Sequence, residues 1–299
     1  MSTSADIARL KHEKDVLILA HNYQRPEVQD VADFVGDSLE LSIKASRAEQ
    51  QTILFCAVTF MAETAKILSP RKKVLVPRID ARCPMADMVS VGDLIRLKAG
   101  HPDAAVVCYV NTNADVKAES DVCCTSANAV KVVQSLDEDE VIFVPDINLA
   151  HWVSRQTNKK IIPWKGFCHV HARMRANEVS GARAARPDAV LLVHPECPPD
   201  VIDLADQVLS TGGMVRFAAR SEAREFLVAT EEGILYRMKK ENPDKVFMPA
   251  GLPRVCSNMK KITLDDVARS LAEERHEISL DESTLARASR ALRRMMELS

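Results

Sequence analysis

The 299-residue chain is poor in aromatic residues and carries no excess of either charge. Phe, Trp and Tyr make up only 4% of it, too few for a protein that grips nucleic acid by base stacking. The 40 Lys and Arg residues are balanced by 42 Asp and Glu residues, giving a net charge of -2, whereas a protein that binds a polyanion should be basic. We therefore expect no nucleic-acid partner, and any phosphate in a ligand must be held by local groups.

Signals for secretion and for membrane insertion are also lacking. The N-terminal segment MSTSADIARLKHEKD has no apolar stretch after its charges, unlike a signal peptide. The longest apolar runs, such as AAVVCYV and AVLLV, are far shorter than the roughly 18 residues that span a bilayer. We expect a soluble, cytoplasmic protein with no membrane partner. In that compartment the 8 cysteines indicate core packing and metal ligation rather than a disulfide framework.

A pattern of strands and helices occurs three times along the chain. Each occurrence opens with a short apolar run of the kind that forms a strand covered on both faces. Polar residues follow each run: His21 and Asn22 after VLILA, Asn111 after AAVVCYV, and His194, Pro195 and Glu196 after AVLLV. A serine stands 15 to 17 residues after the first polar residue of each repeat: Ser38, Ser126 and Ser210.

Each repeat closes with a strand that begins at a lysine, ends at a proline and leads into a loop with one cysteine. KVLVP precedes Cys83, KIIP precedes Cys168, and KVFMP precedes Cys256. Strands that alternate with helices predict parallel sheets built from βαβ units. We therefore expect an α/β protein of three pseudo-symmetric Rossmann-like domains, at 1–85, 86–170 and 171–299, around a central cavity. The last range includes C-terminal helices that pack back onto the body, with the first domain as one candidate surface.

The three loop cysteines are 85 and 88 residues apart and stand at matched positions of the repeats. Thiolates from three loops suit a soft metal or an iron–sulfur cluster. Three ligands rather than four leave one iron open to a substrate, as at an open catalytic zinc site. Zinc held by the three cysteines together with His169 or His171 is the alternative. The remaining cysteines are predicted to be structural: Cys56, Cys108, Cys123, Cys124 and Cys197.

The polar residues at the strand ends predict one shared ligand site, because ligands of open α/β sheets bind outside the carboxyl ends of the strands. Glu196 is a candidate acid or base, since a closed cavity can raise the pKa of a carboxyl group. Tyr23 and Tyr109 are candidate proton donors or carboxylate binders. Hydroxyl groups at helix starts suit carboxylates or phosphates, and four residues offer them: Ser38, Ser126, Ser210 and Thr211.

At these residues the sequence resembles the quinolinate synthase family, the A protein of bacterial and archaeal NAD biosynthesis, over nearly the whole chain. The segments that carry the resemblance are LAHNYQRPEVQDVADFVGDSLELS, TFMAETAKIL, CPMAD, YVNTNADVKAESDVCCTSANAV, PDINLA, GFCHVH, HPECPPDV, STGGM and CSNMK. One of these segments alone would not identify the family, whereas several of them in this order are specific for it.

The resemblance implies an enzyme with a 4Fe–4S cluster held by one cysteine from each domain: Cys83, Cys168 and Cys256. It implies the condensation of iminoaspartate (iminosuccinate) with dihydroxyacetone phosphate to give quinolinate, phosphate and water. The open iron would act as a Lewis acid. An aspartate oxidase or aspartate dehydrogenase would supply the iminoaspartate and is the implied functional partner.

Carried over by position, the resemblance also implies roles for single residues. The catalytic residues would be Tyr23, Glu196 and His21, with Tyr23 and Glu196 moving protons. The substrate-binding residues, to which the hydroxyl pattern adds Ser210, would be His21, Ser38, Tyr109, Val110, Asn111, Ser126, His194, Pro195, Glu196, Ser210 and Thr211. Longer relatives carry a C-x-x-C-x-x-C motif linked to thiol control. Here Cys256 is followed by Ser257, Asn258 and Met259, so that control is not expected.

Three other functions use part of the same pattern. An iron–sulfur sensor or carrier would use the three cysteines but would not need histidines, a glutamate and hydroxyls at symmetric strand ends. A cluster-dependent dehydratase of another hydroxy acid would keep the open iron but need no phosphate site. A zinc-stabilised structural protein would contain neither iron nor sulfide.

Overall fold

Three consecutive segments of the chain fold into the same series of helices and strands. The computed structural model describes residues 3–298. The first repeat consists of α1 (Ser4–Glu13), β1 (Val16–His21), α2 (Pro26–Val31), β2 (Phe34–Gly36), α3 (Ser38–Ser46), β3 (Thr52–Cys56), α4 (Thr59–Leu68) and β4 (Lys73–Leu75). The second consists of α5 (Val91–Gly100), β5 (Ala105–Tyr109), α6 (Ala114–Ala118), β6 (Val122–Cys124), α7 (Ala129–Gln134), β7 (Glu140–Val144), α8 (Ile147–Ser154) and β8 (Lys160–Pro163).

The third repeat and the C-terminal segment complete the chain. The third repeat consists of α9 (Ala176–Ala185), β9 (Val190–Val193), α10 (Pro199–Ile202), β10 (Gln207–Val208), α11 (Thr211–Arg220), β11 (Glu225–Ala229), α12 (Ile234–Glu241) and β12 (Val246–Pro249). The C-terminal segment forms α13 (Leu264–Glu273) and α14 (Glu282–Glu297). Three short 3-10 helices follow the loop cysteines: Pro84–Met88, His171–Arg173 and Met259–Lys261.

Each repeat forms its own four-stranded sheet, and the order of strands is the same in all three. The orders are β2-β1-β3-β4, β6-β5-β7-β8 and β10-β9-β11-β12, and every pair of neighbours is parallel. The direction of the strand order reverses between the first and third strands of each repeat, which is where open α/β sheets bind ligands. The predicted fold of three Rossmann-like units is confirmed.

The likeness of the repeats extends to single hydrogen bonds. In each sheet an aspartate accepts a hydrogen bond from the backbone N–H of the residue 15 positions before it. Asp33 accepts from Ile18 at 2.8 Å, Asp121 from Val106 at 2.7 Å, and Asp206 from Leu191 at 2.8 Å. Each carboxylate joins the edge of the second strand to the first strand and so sets the register of the pair.

The first two sheets share one hydrophobic core, whereas the third has cores of its own. Buried side chains of β3 and β7, such as Phe55 and Phe143, belong to one continuous cluster. In the third repeat, Leu191 and Val193 pack on one face of the sheet, and Leu192 packs on the other in a separate cluster. Polar pairs such as Ser210 with Asp37 and Thr211 with Asn22 join the third repeat to the first.

The C-terminal helices pack on the first two repeats. Helix α13 lies against α1, and its Val267 and Leu271 enter a cluster with residues of β1 and β3. Helix α14 lies against α6 and β6 of the second repeat and α4 of the first, with Leu292 buried in the shared core. The segment therefore follows the third repeat in sequence but covers the other two, and the domain boundaries themselves stay a prediction.

Within residues 3–298, no helix combines the length and the apolar character needed to cross a membrane.

Candidate active site

A central cavity lies where the three repeats meet. Most of the residues predicted from the sequence line it: His21, Tyr23, Ser38, Cys83, Tyr109, Asn111, Ser126, Cys168, His194, Glu196, Thr211 and Cys256. All of them follow strands or open helices, because the carboxyl ends of the three parallel sheets face this point. The predicted convergence on one cavity agrees with this geometry.

Three predicted residues do not line the cavity. Val110 is buried in the shared hydrophobic core, and Pro195 is buried between His194 and Glu196. Ser210 is the N-cap of α11, where its hydroxyl accepts from Gly213 N at 3.2 Å and donates to Asp37 Oδ2 at 3.0 Å. The Ser210 hydroxyl therefore already donates its proton to Asp37 of the first repeat and is not available to a ligand.

The three loop cysteines reach the cavity from equivalent loops, one in each repeat. Each precedes a short 3-10 helix, is half-buried and forms no disulfide. Burial raises the pKa of all three thiols, that of Cys83 to about 12. Such thiols stay protonated unless a cation compensates the thiolate charge, and a bound metal does this. Three free thiols converging on one cavity fit an iron–sulfur cluster with three protein ligands.

His21 and His194 occupy equivalent positions in the first and third repeats. The Nδ1 atom of His21 accepts from Tyr23 N at 3.2 Å, and that of His194 accepts from Glu196 N at 3.3 Å. Burial lowers the pKa of both imidazoles to about 3, so both rings are neutral at physiological pH. A neutral ring that accepts at Nδ1 carries its proton on Nε2. Each histidine can therefore donate one hydrogen bond from Nε2.

Glu196 is a buried carboxylate that lines the cavity, as does Asp37. Tyr109 OH donates to its Oε1 at 2.5 Å, and His171 Nδ1 lies 2.7 Å from its Oε2. Burial raises the pKa of Glu196, but the adjacent His171 and the Tyr109 hydrogen bond outweigh burial and bring it below its usual range. The sequence-based expectation of a raised pKa was wrong, because that argument included burial but not these two partners.

A chain of close polar contacts joins Glu196 to Tyr23. His171 Nε2 lies 2.8 Å from Thr230 Oγ1, which in turn lies 2.5 Å from Tyr23 OH. His171 also stacks on His194, with ring centroids 4.5 Å apart. Burial and the nearby Glu196 carboxylate raise the pKa of Tyr23, which keeps the phenol protonated.

Two members of this chain were not predicted in these roles. The sequence indicated His171 only as a zinc ligand and gave no indication of Thr230. The position of His171, three residues after Cys168 in the quoted segment GFCHVH, was a signal that could have identified it. Thr230 directly follows a strand, as His194 does, but belongs to the third strand of its repeat rather than the first.

Polar groups that suit anions lie on the remaining cavity wall. Ser38 and Thr211 are the first residues of α3 and α11, so each hydroxyl stands at the positive end of a helix. Thr211 Oγ1 accepts from Asn22 Nδ2 at 2.9 Å, which leaves its own proton for a ligand. Asn111 Oδ1 is buried and has no hydrogen-bond partner among residues 3–298. These groups are positioned to bind a ligand that carries both acceptors and donors.

The cavity also bears on the zinc alternative. Ligand atoms of Cys168, His171 and Glu196 lie within 4.8 Å of one another, and His169 lines the cavity nearby. The 2.7 Å contact between His171 and Glu196 is a hydrogen-bond distance. This geometry fits a shared proton better than two ligands of one ion.

The fold and the cavity define an α/β enzyme: three thiols, a buried carboxylate and a hydrogen-bonded tyrosine converge in one closed site. The family model described as Quinolinate synthetase A protein matches residues 5–297. The chain belongs to this family of enzymes, as the resemblance predicted.

Individual relatives agree with the family match. The chain is 54% identical to the quinolinate synthase of Methanoregula boonei over 293 residues, which cover 98% of this chain and 97% of that protein. It is 52% identical to the quinolinate synthase of Alkaliphilus metalliredigens over 294 residues, again 98% and 97% of the two chains. It is 51% identical to that of Thermodesulfovibrio yellowstonii over 297 residues, 99% and 98% of the two chains.

Proposed function

We propose that the protein is a quinolinate synthase, which condenses iminoaspartate with dihydroxyacetone phosphate and releases phosphate and water. The reaction would serve NAD biosynthesis in the cytoplasm, with an aspartate oxidase or aspartate dehydrogenase as the supplier of iminoaspartate. The family match supports this reaction. The observation that carries the proposal is the meeting of three free thiols and the Tyr23–Thr230–His171–Glu196 chain in one cavity.

The cofactor of the proposed reaction is a 4Fe–4S cluster held by Cys83, Cys168 and Cys256. When bound, it supplies a Lewis acid through the iron that has no protein ligand. The protein contributes a closed site whose remaining walls are polar on the side of the helix starts and apolar at Phe60, Met61 and Met259. Exclusion of water by such a cavity protects an imine from hydrolysis.

The proton transfers are assigned to Glu196 and Tyr23. Glu196 is ionised, so it takes a proton from the substrate rather than giving one. His171, 2.7 Å from the carboxylate, stabilises its charge and orients it. Tyr23 is protonated and gives its proton to a departing oxygen. Thr230 and His171 then connect the two residues, so that a proton taken at Glu196 can restore the Tyr23 phenol without crossing the cavity.

The substrate carboxylates and phosphate are assigned to neutral donors. His21 and His194 donate from Nε2, and hydroxyls donate from Ser38, Ser126 and Thr211. Asn111 offers its unpaired Oδ1 to a substrate hydroxyl or amine. Neutral donors hold an anion without the strong attraction of a buried cation, which favours turnover over tight product binding. Val110, Pro195 and Ser210 support these groups from behind the cavity wall.

The proposal is tested by assaying quinolinate formation by protein purified without oxygen. The substrates are freshly generated iminoaspartate and dihydroxyacetone phosphate, and an air-exposed sample is the control. The Cys168→Ala variant should lose both the cluster and the product, while Cys124→Ala, at a buried thiol of β6, should keep both. No quinolinate from protein shown to contain its cluster would overturn the proposed reaction and leave the dehydratase of another hydroxy acid.

A further inference from the structure

Two buried carboxylates outside the reacting groups hold the loops that carry Cys168 and Cys256. We infer that Asp146 and Glu231 are positioning residues that fix these two cysteines for metal binding. The inference rests on the cysteine ligand set of the proposed function. It adds two residues that neither touch the substrate nor bind the metal themselves.

Asp146 ties the second cysteine loop to the start of a helix. It is the second residue after β7 and is fully buried. Its Oδ2 accepts from Cys168 N at 3.0 Å, and its Oδ1 accepts from Leu149 N at 2.7 Å as the N-cap of α8. One carboxylate thus connects the backbone of a proposed metal ligand to a helix packed on the sheet.

Glu231 makes the corresponding contact in the third repeat. It is the second residue after β11 and is also fully buried. Its Oε1 accepts from Cys256 N at 3.1 Å, and its Oε2 accepts from Gly233 N at 2.7 Å. Lys260 Nζ lies 3.1 Å from Oε1 and donates to Tyr23 O at 2.6 Å. Through Lys260, the carboxylate therefore joins the cysteine loop to the loop that carries the proposed acid.

Glycines allow close packing beside both carboxylates. A Cβ atom at Gly166 would lie 2.5 Å from Pro145 O, in the turn that leads to Asp146. A Cβ atom at Gly233 would lie 2.8 Å from Glu231 Oε2 and 2.5 Å from Lys260 Nζ. Real Cβ atoms do not come this close, so only glycine fits at either position without a shift of its neighbours. Gly166 thus packs the second cysteine loop against the residue before Asp146, and Gly233 leaves room for the Glu231 carboxylate and Lys260.

The first repeat shows that the fold does not require such a carboxylate. Val58 is the second residue after β3, where the other repeats have Asp146 and Glu231. There Thr59 N donates to Ala81 O at 2.9 Å, a neutral hydrogen bond two residues before Cys83. The same sheet and the same kind of loop therefore form with an apolar residue at this position. Burying a carboxylate is costly without a local role, and groups behind metal ligands commonly fix their orientation.

The test replaces each carboxylate by its amide, in Asp146→Asn and Glu231→Gln. Each carboxylate uses its two oxygens to accept from two different backbone N–H groups, whereas an amide has only one oxygen, so in either orientation one of the two N–H groups faces an NH₂ donor. The matched controls are Asp121→Asn and Asp206→Asn, which alter carboxylates in the same two repeats that accept a strand N–H instead. Iron and sulfide content and the decay of visible absorption in air are measured for all four variants.

We expect the cluster to decay roughly tenfold faster in Asp146→Asn and Glu231→Gln than in the two controls, because one of the two backbone N–H groups that each carboxylate holds loses its acceptor and the link to the cysteine loop is broken. In cluster-free protein, hydrogen exchange at the Cys168 or Cys256 amide should also become faster in the corresponding variant. Decay and exchange rates equal to those of the controls would overturn the inference. Wild-type protein that holds no cluster would instead contradict the proposed function, and the exchange measurement would still test the two hydrogen bonds.

Discussion

Replacement of His171 by asparagine tests whether the chain between Glu196 and Tyr23 carries protons. In the structure His171 lies 2.7 Å from Glu196 and 2.8 Å from Thr230, so His171→Asn breaks both connections. Loss of a general acid–base connection lowers kcat by about 10²- to 10⁴-fold. This corresponds to roughly 3–5 kcal/mol of activation free energy at 1.36 kcal/mol for each tenfold change. The three cysteines are unchanged, so iron and sulfide content should equal that of the wild type.

The pH dependence of His171→Asn separates a chemical role from a structural one. His171 helps hold the pKa of Glu196 below its usual range, so its removal lets burial raise that pKa. Activity that needs ionised Glu196 is lost as pH falls through this pKa, and the acidic limb of kcat should therefore move to higher pH. The control is His151→Asn, at an exposed histidine of α8. The proton-transfer role of His171 would be refuted if His171→Asn kept its cluster, had a kcat within twofold of wild type and showed an unmoved acidic limb.

Three further predictions concern stability and cluster binding. The buried His21 has a folded-state pKa of about 3, below its usual 6.5, so the unfolded chain binds more protons and stability falls as pH drops from 6.5 towards 3. Wild-type protein should lose about 2 kcal/mol of unfolding free energy through His21 when the pH falls from 7.5 to 5, and His21→Gln should not show this loss in denaturant unfolding. An equal loss in the variant and the wild type would contradict the assignment of a neutral His21 ring. Gly166→Ala should lower both the Tm and the iron content, because its Cβ would lie 2.5 Å from a backbone oxygen, whereas Gly181→Ala, with open space around it, should stabilise α9 by about 0.5–1 kcal/mol. Equal Tm shifts for the two glycine variants would speak against that close approach. Leu292→Ala should cost about 2–5 kcal/mol in urea unfolding, since the side chain is fully buried in the shared core, and a cost below about 1 kcal/mol would show that α14 is not part of it.

The strand ends were predictable because they depend on local patterns. Apolar runs that end in His21 and in His194, repeated with similar spacing, were sufficient to predict parallel sheets and one convergent site. The matched loop cysteines followed from the same repeat, and their position at the cavity agrees with it. In each case the functional residue lies close in sequence to its own strand. Its position at the strand end could therefore be predicted without knowing how far apart the strands are in the sequence.

Contacts between repeats could not be predicted in the same way. Ser210 was expected at the anion site because it opens a helix, but Asp37, 173 residues earlier, accepts its proton. The link from His171 to Thr230 spans 59 residues and joins the loop after Cys168 to the residue that follows β11. Such pairs depend on how the sheets are arranged in space, which the repeat pattern leaves undetermined. The same applies to Glu196, whose pKa is set by partners from the second repeat.

The packing of α14 has a consequence for synthesis on the ribosome. Its side chains complete the core shared by the first two sheets, yet it emerges after all three sheets have been made. Domains generally begin to fold as the N-terminal parts of a chain appear. Here the nascent first and second sheets must wait, with an apolar seam uncovered, for a helix that is translated more than a hundred residues later. The core shared by these two sheets is therefore among the last parts of the newly made protein to become fixed.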